Sequence, residues 1–331
     1  MPDKKDGHIM NQKGKIKLGL KILVSILLLG WLLCSVEWPQ ICHCLHQIKP
    51  FALIWAVFSI IVAMIISVVK WGLLIHAQRI PASWKDLWQA YWVALFFNNF
   101  LPSSIGGDGM RIFLVGKKTG DMAGVSVSVV AERVLATLGI ACIGLPALIL
   151  TGTSLKNLKG LFVLLLLGSL VGVWLLIWGK VPGFLKGKQG KGAVFLSRFI
   201  SHGGRLKEQP GVIGKVVLWS ALFQLANVAV NYFIFQGLGL TGVSFLEAML
   251  VVPAAAAISM VPVGINGYGI REGAYITLLA PFGVQPAAAF TASVLYAFLV
   301  SLCSLWGGML WIGIKKKEGE LPVGTESFGN Q

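Results

Sequence analysis

Two segments of the sequence repeat one arrangement of proline, glycine and arginine. Residues 101–111 read LPSSIGGDGMR and residues 261–271 read VPVGINGYGIR, so that five of eleven positions are identical at a constant offset of 160. Proline ends an incoming helix because it lacks a donor, and glycine permits positive φ and close backbone approach. A helix that restarts after such a break presents unpaired N–H groups and a positive dipole end beside the arginine, which suits a phosphate or a carboxylate. The residues of this motif are Pro102, Gly106, Gly107, Gly109, Pro262, Gly267 and Gly269.

Ionisable residues inside apolar segments are the second chemical signal. The candidate substrate-binding residues are Asp108, Arg111, Glu132, Arg133, Arg271 and Glu272; charges at membrane depth are functional candidates because burying them is costly. Adjacent helical residues point about 100° apart, so Glu132 and Arg133 cannot face one partner. We expect Glu132 to face Arg111 or Arg271. We expect Arg133 to face Asp108 or a lipid head group. The alternative is a purely structural lattice of salt bridges that holds the two halves of the protein together.

Other polar residues in apolar segments have less specific readings. Gln224, Asn227 and Asn231 share one helical face, which is typical of contacts between helices more than of substrate binding. Glu247 is expected at a helix N-terminus. Lys70 is expected to extend to the interface from the cytoplasmic end of its span.

The composition requires a membrane to surround these residues. The chain has 331 residues, of which 56% are apolar and 12% charged, with a mean hydropathy of +0.78. Soluble domains usually carry about twice that share of charge. The net charge of +15 comes from 28 Lys and Arg against 13 Asp and Glu; a chain so poor in charge lacks the continuous basic face that nucleic acid binding requires.

The apolar pattern predicts an all-α polytopic membrane protein. Full spans are expected near 17–36, 51–75, 122–150, 160–178, 212–236 and 287–313. The stretches 86–100 and 245–260 are shorter, and each runs into one motif copy, which predicts two re-entrant broken-helix hairpins. Three full spans separate the copies, so the repeat is inverted, as in transporters with discontinuous helices. We divide the transmembrane domain 17–313 into halves of about 51–178 and 212–313, joined by the basic loop 179–211, with tails at 1–16 and 314–331.

The distribution of basic residues predicts the orientation. Most of the 28 Lys and Arg lie in the tails and in the loops 76–86, 111–121 and 179–211, whereas the opposite loops carry Lys49, Lys156, Lys159 and Arg271. We therefore expect both termini in the cytoplasm of a multi-pass protein of the cell (inner) membrane. The first span lacks a cleavage site and is expected to stay as an anchor. The loop 179–211 is either an amphipathic helix on an anionic leaflet or a solvated basic loop.

Both motif copies resemble one protein family. The run from Asn98 through Pro102 to Arg111, followed by Ala131-Glu132-Arg133, and the later run Pro262 to Glu272, resemble the lysylphosphatidylglycerol synthase transmembrane region, or flippase-like domain, over about 15–315. The resemblance implies an integral membrane protein linked to lipid or glycolipid pathways. Some members carry a soluble aminoacyl-transferase domain, and their membrane part moves lysyl-phosphatidylglycerol across the bilayer. About 20 residues follow Trp311, so we expect no transferase domain here.

The functional hypothesis is a lipid flippase for an anionic or aminoacylated phospholipid or a lipid-linked intermediate. We expect no catalytic residues, no cofactor and no metal, although the segment Cys42-His43-Cys44 with His46 leaves a metal site open as a weak alternative. The first competing hypothesis is a membrane enzyme or accessory subunit in lipid head-group or glycolipid biosynthesis. The second is a scaffold for a glycosyltransferase or lipid-synthesis partner. The sequence does not distinguish oligomeric states.

Overall fold

The computed structural model describes residues 38–46, 48–100, 105–152, 155, 158–178, 191–261 and 267–320. Within these ranges the regular elements are all helical. The expected first span at 17–36 and the motif residues Pro102 and Pro262 lie outside the described residues.

Eleven α-helices follow one another along the described ranges. They are α1 (Trp38–His46), α2 (Pro50–Ala77), α3 (Trp84–Phe100), α4 (Ile105–Thr119), α5 (Met122–Thr151), α6 (Leu158–Trp178), α7 (Lys191–Arg205), α8 (Pro210–Gly237), α9 (Phe245–Ser259), α10 (Ile270–Leu279) and α11 (Pro286–Glu320). Five of them, α2, α5, α6, α8 and α11, are long and apolar enough to cross a membrane. The prediction of an all-α polytopic membrane protein is confirmed.

The internal repeat extends from the motif to whole helices. Helices α2 and α8 have 28 residues each and begin at Pro50 and Pro210, which again differ by 160. The following helices α3, α4 and α5 recur in the same order as α9, α10 and α11. Proline suits the first turn of α2 and α8, where a backbone N–H has no helical partner.

Helices α2 to α5 form the first set and α8 to α11 form the second set, and one short helix of each set packs against the other set. Helices α2 and α8 pack along each other, while α3 packs against α11 and α9 packs against α5. Helices α3 and α9 therefore each contact the last long helix of the other set. A large apolar core fills the contact between α8, α9, α10 and α11 and includes Phe235, Leu250 and Leu279. Helix α6 leaves Leu167, Leu170 and other large apolar side chains exposed, as expected for a surface in contact with lipid.

Two adjacent glycines allow α11 to approach α3 closely. A Cβ atom on Gly307 would overlap the backbone carbonyl of Trp92, and one on Gly308 would press against the ring of Phe96. Small residues at such contacts let helix backbones approach in the membrane.

The substitution Gly307→Ala is expected to destabilise the protein by about 1–3 kcal/mol, because the added methyl group must separate α3 from α11. Gly313→Ala on the same helix is the matched control, since a Cβ atom there meets nothing within 4 Å. Thermal unfolding in detergent should show a lower midpoint for Gly307→Ala and an unchanged or higher one for Gly313→Ala. Equal midpoints for the two variants would contradict the close contact.

Helix α7 lies in the long basic loop and is amphipathic; its position on an anionic leaflet stays a prediction. Val194, Phe195 and Leu196 are partly exposed, whereas His202 is buried. The His202 imidazole contacts the Asp121 carboxylate at 3.0 Å. Burial lowers the pKa of His202 below its usual value, so the ring is neutral at pH 7. This contact joins α7 to the start of α5, where Asp121 also accepts a hydrogen bond from the Gly124 N–H.

Candidate functional site

A cleft of about 200 Å³ lies where the two sets of helices meet, and we call it the central cleft. Helices α2 to α5 line it from one set, and α8 and α11 from the other. Its polar lining residues are Tyr91, Asn98, Asp108, Arg111, Arg133, Asn227 and Tyr296. Three of the six predicted substrate-binding residues thus line one cleft.

Arg111 is buried and fully engaged with protein groups. Its Nη1 donates to Glu132 Oε2 at 2.5 Å, and its Nη2 donates to Asp108 Oδ1 at 2.6 Å. The guanidinium also lies over the ring of Tyr91, 4.7 Å from the centroid. The pairing that we expected between Glu132 and Arg111 is present. Because two carboxylates already hold it, Arg111 fixes the geometry of the site more than it offers free donors.

Arg133 is the accessible cation of the cleft. Its Nε and Nη2 donate to the two oxygens of Asp108 at 2.9 and 3.0 Å, which agrees with the expected pair. The Arg133 side chain is 55% exposed, whereas that of Arg111 is 3% exposed. A guanidinium carries five N–H donors, so Arg133 keeps donors for an anion while Asp108 orients it.

Glu132 collects three donors from three other helices. Besides Arg111, it accepts a hydrogen bond from the Tyr91 hydroxyl at 3.2 Å, and the Lys70 ammonium lies 3.4 Å from Oε1. The prediction that Lys70 extends to the interface is wrong. Lys70 is 2% exposed, because the buried carboxylate of Glu132 and the face of Phe223, 4.8 Å away, receive its charge inside the bundle.

At formal charges the cluster has one more positive than negative group. Lys70, Arg111 and Arg133 are its three basic residues, and Asp108 and Glu132 are its two acidic residues. An unbalanced charge in a medium of low dielectric constant is unfavourable, so an anion that enters the cleft is attracted. A group with one negative charge, such as a phosphodiester, would balance the cluster.

The start of α4 meets the end of α3 at the first motif. The Gly107 N–H donates to Asn98 Oδ1 at 3.0 Å, and a Cβ atom on Gly107 would overlap the carbonyl of Ala94. Glycine is therefore required at 107 by the contact between the two helices. At Gly109, by contrast, a Cβ atom would meet nothing within 4 Å. We expected unpaired N–H groups at the start of this helix, but the Gly107 N–H binds Asn98.

The second motif forms a separate charge pair. Arg271 donates to Glu272 Oε1 at 3.1 Å and to Ser293 Oγ at 3.3 Å, and Glu272 Oε2 accepts the Gly269 N–H at 2.6 Å. Gly267 and Gly269 have φ values of +75° and +85°, which explains the glycines there.

Arg271 does not line the central cleft. Tyr296 lines that cleft, and its ring centroid lies 5.7 Å from the Arg271 guanidinium. The structure thus brings Asp108, Arg111, Glu132 and Arg133 together, and it leaves Arg271 and Glu272 as a pair of their own.

The asparagine face of α8 contacts tyrosines of neighbouring helices. Asn231 accepts a hydrogen bond from Tyr275 at 2.6 Å, and Asn227 accepts one from Tyr296 at 3.1 Å. The predicted helix-to-helix role is confirmed for both residues, although Asn227 also lines the cleft. The tyrosines Tyr91 and Tyr296 were missed at the sequence level, since an aromatic residue in an apolar span gives no distinct signal.

Two further predictions concern the helix cap at Glu247 and a possible metal site. Glu247 accepts the Ser244 N–H at 2.5 Å and caps α9, as expected. Among the described residues no group of three or more His, Cys, Asp or Glu could hold a metal ion. The side chains of Cys42 and His43 lie outside the described residues.

Comparison with known proteins identifies the family. A family model described as the lysylphosphatidylglycerol synthase TM region matches residues 19–310. The chain belongs to this family. A UPF0104 membrane protein of Pyrococcus horikoshii is 23% identical over 299 residues, which cover 79% of this chain and 86% of that protein. The family match includes both motif copies and every residue of the central cleft, so the resemblance drawn from the motifs is confirmed.

Proposed function

We propose that this protein moves an anionic lipid between the leaflets of the cell membrane, with the lipid head group in the central cleft. The observation that carries the proposal is the unmatched positive charge beside the half-exposed Arg133, between two repeated sets of helices. A phosphate would bind the remaining donors of Arg133, while its acyl chains stay in the bilayer. Asp108 would keep Arg133 oriented before the lipid arrives.

Family membership supports a function in lipid metabolism or transport. The family is described by a lysylphosphatidylglycerol synthase membrane region, so phosphatidylglycerol and its aminoacyl derivatives are the first lipids to test. The repeated helices with interrupted members also support transport, because such repeats place substrate sites at their contact. In this proposal the protein lies in the inner membrane with both termini in the cytoplasm.

Transport fits the central cleft better than head-group chemistry does. The carboxylates available for general acid-base catalysis are Asp108 and Glu132, and arginines bind both of them. A carboxylate held by guanidinium groups is a poor proton acceptor. Mass spectrometry of lipids from a deletion strain separates the two functions: loss of a lipid species would indicate an enzyme, whereas an altered distribution between leaflets would indicate transport.

The decisive experiment is lipid movement in proteoliposomes, with fluorescent phosphatidylglycerol and a quencher that reaches the outer leaflet only. Arg133→Gln is expected to slow movement about tenfold or more, because the accessible donor pair is lost. Arg198→Gln removes an exposed arginine from α7 and should change the rate less than about twofold. Equal rates for wild type and Arg133→Gln would overturn the proposal.

A further inference from the structure

A second cleft lies along α3, α4 and α11, three of the helices that line the central cleft, and it is nearer the C-terminal end of α11. It has a volume of about 310 Å³ and is lined by the first turns of α3, the last turns of α4 and the residues Trp311 and Ile314 of α11. We call it the outer cleft. Because α3, α4 and α11 also line the central cleft, both clefts follow one seam between the two sets of helices.

Lysines surround the outer cleft. Lys117 and Lys118 line it, and the Lys315 ammonium lies 5.2 Å from the ring centroid of Trp311. The acidic residue of the lining is Asp86, which accepts a hydrogen bond from Lys118 at 2.7 Å. Although burial acts to raise it, hydrogen bonds from Lys118 and Ser83 hold the pKa of Asp86 below its usual value. Basic side chains thus lie on both the α4 side and the α11 side of the outer cleft.

The outer cleft lies beside the basic end of a membrane-spanning helix. The apolar sequence of α11 gives way to Lys315, Lys316 and Lys317, and Trp311 and Ile314 lie just before these lysines. Tryptophan and lysine are enriched where a span reaches the head-group region. Phe113 is partly exposed beside the lysines, and the exposed Ile312 and Met309 continue the apolar surface along α11. A ligand with one anionic and one apolar part fits these surroundings.

The glycine contact between α3 and α11 separates the two clefts. Along α11 the central cleft ends at Val300 and the outer cleft begins at Trp311, which is about 16 Å of helix. Gly307 and Gly308 lie between these positions and contact Trp92 and Phe96 of α3. The seam is therefore closed in this structure between a site at the interface and a site deeper in the bundle.

We propose that the outer cleft binds the phosphate of an anionic glycerophospholipid from the adjacent leaflet, before the lipid reaches the central cleft. Lys117, Lys118 and Lys315 hold the phosphate, and the acyl chains lie against Phe113 and α11. The binding site stands on its own evidence, whereas its place before the central cleft rests on the proposed function.

Titration with dihexanoyl phosphatidylglycerol in a non-ionic detergent tests the binding site. Two proteins are compared, and both carry Arg133→Gln, which removes the accessible cation of the central cleft. In one of them Lys117, Lys118 and Lys315 are also changed to Gln. We expect the affinity to fall about tenfold or more, since each lysine near the surface contributes to the attraction. Wild-type affinity for dihexanoyl phosphatidylcholine should be weaker than for phosphatidylglycerol.

The matched control changes the exposed lysines Lys49, Lys159 and Lys215 to Gln, which alters the net charge equally. Its affinity should stay within about twofold of wild type. The proposal is overturned if both triple variants lose affinity alike, if the outer-cleft variant binds normally, or if glycerol phosphate binds as tightly as the lipid.

Lipid movement by the same variants separates this inference from the proposed function. Loss of binding together with slower movement supports both. Loss of binding while wild type moves no lipid supports the outer site and rejects the proposed function. Normal binding in an outer-cleft variant of a protein that does move lipid rejects the outer site alone.

Discussion

Replacement of Glu132 by alanine is expected to lower the free energy of unfolding by about 3–5 kcal/mol, because Arg111 and Lys70 then lose a buried counter-ion. Both cations are 3% exposed or less. Because the cleft would no longer be folded, lipid movement should be lost as well. Thermal unfolding in detergent measures the change, with Glu208→Ala as the control at an exposed carboxylate.

A second substitution tests whether the lost charge balance causes the loss of stability in Glu132→Ala. Glu132→Ala leaves three positive charges against the single charge of Asp108, and adding Lys70→Met restores the surplus of one that the native cluster has. The double variant should therefore recover at least about half of the lost stability. No recovery would mean that the loss comes from packing and not from the unmatched charge.

Glu272→Ala is expected to cost about 2–4 kcal/mol, because one buried carboxylate binds three groups at once. It accepts the Gly269 N–H, the Ser293 hydroxyl and a guanidinium hydrogen bond from Arg271, and it is 1% exposed. The variant is predicted to unfold at a clearly lower temperature than wild type. Since Arg271 and Glu272 lie outside the central cleft, the folded fraction should still bind phosphatidylglycerol.

Glu247 provides the matched comparison for Glu272. Each residue is the third of its helix and accepts the N–H of the residue before the helix begins. The bond at Glu247 is exposed to its surroundings, so Glu247→Ala should cost only about 1 kcal/mol. A similar loss for the two variants would show that the cap, and not the buried charge network, accounts for the effect.

The main features of the fold and site could be predicted from patterns that are visible in the sequence. Apolar length identified the five described spans, and the constant offset between the motifs indicated the repeat. The pairs between Arg111 and Glu132 and between Arg133 and Asp108 could be anticipated, because a charge in an apolar segment requires a partner. These inferences need only a residue type and its position along one helix.

Other features depend on distances between helices that no pattern records. The sequence placed Lys70 at the interface because the carboxylate that receives it lies on α5, 62 residues away along the chain. It also treated Arg111 and Arg271 as equivalent, although their partners differ. At the offset of 160, Ala292 stands where the first set has Glu132, so Arg271 binds the neighbouring Glu272. Gly307 gave no signal, because its role depends on the backbone of α3.

The exchange of short helices between the two sets has a consequence for biosynthesis. Helix α3 ends at residue 100, but the helix that covers it, α11, begins at residue 286. During translation the aromatic face around Trp92 and Phe96 therefore stays uncovered in the membrane until α11 has been synthesised. The nascent protein is thus vulnerable to premature association through this face, and ribosomes that stall before α11 would leave a product with an uncovered helix for quality-control proteases to recognise.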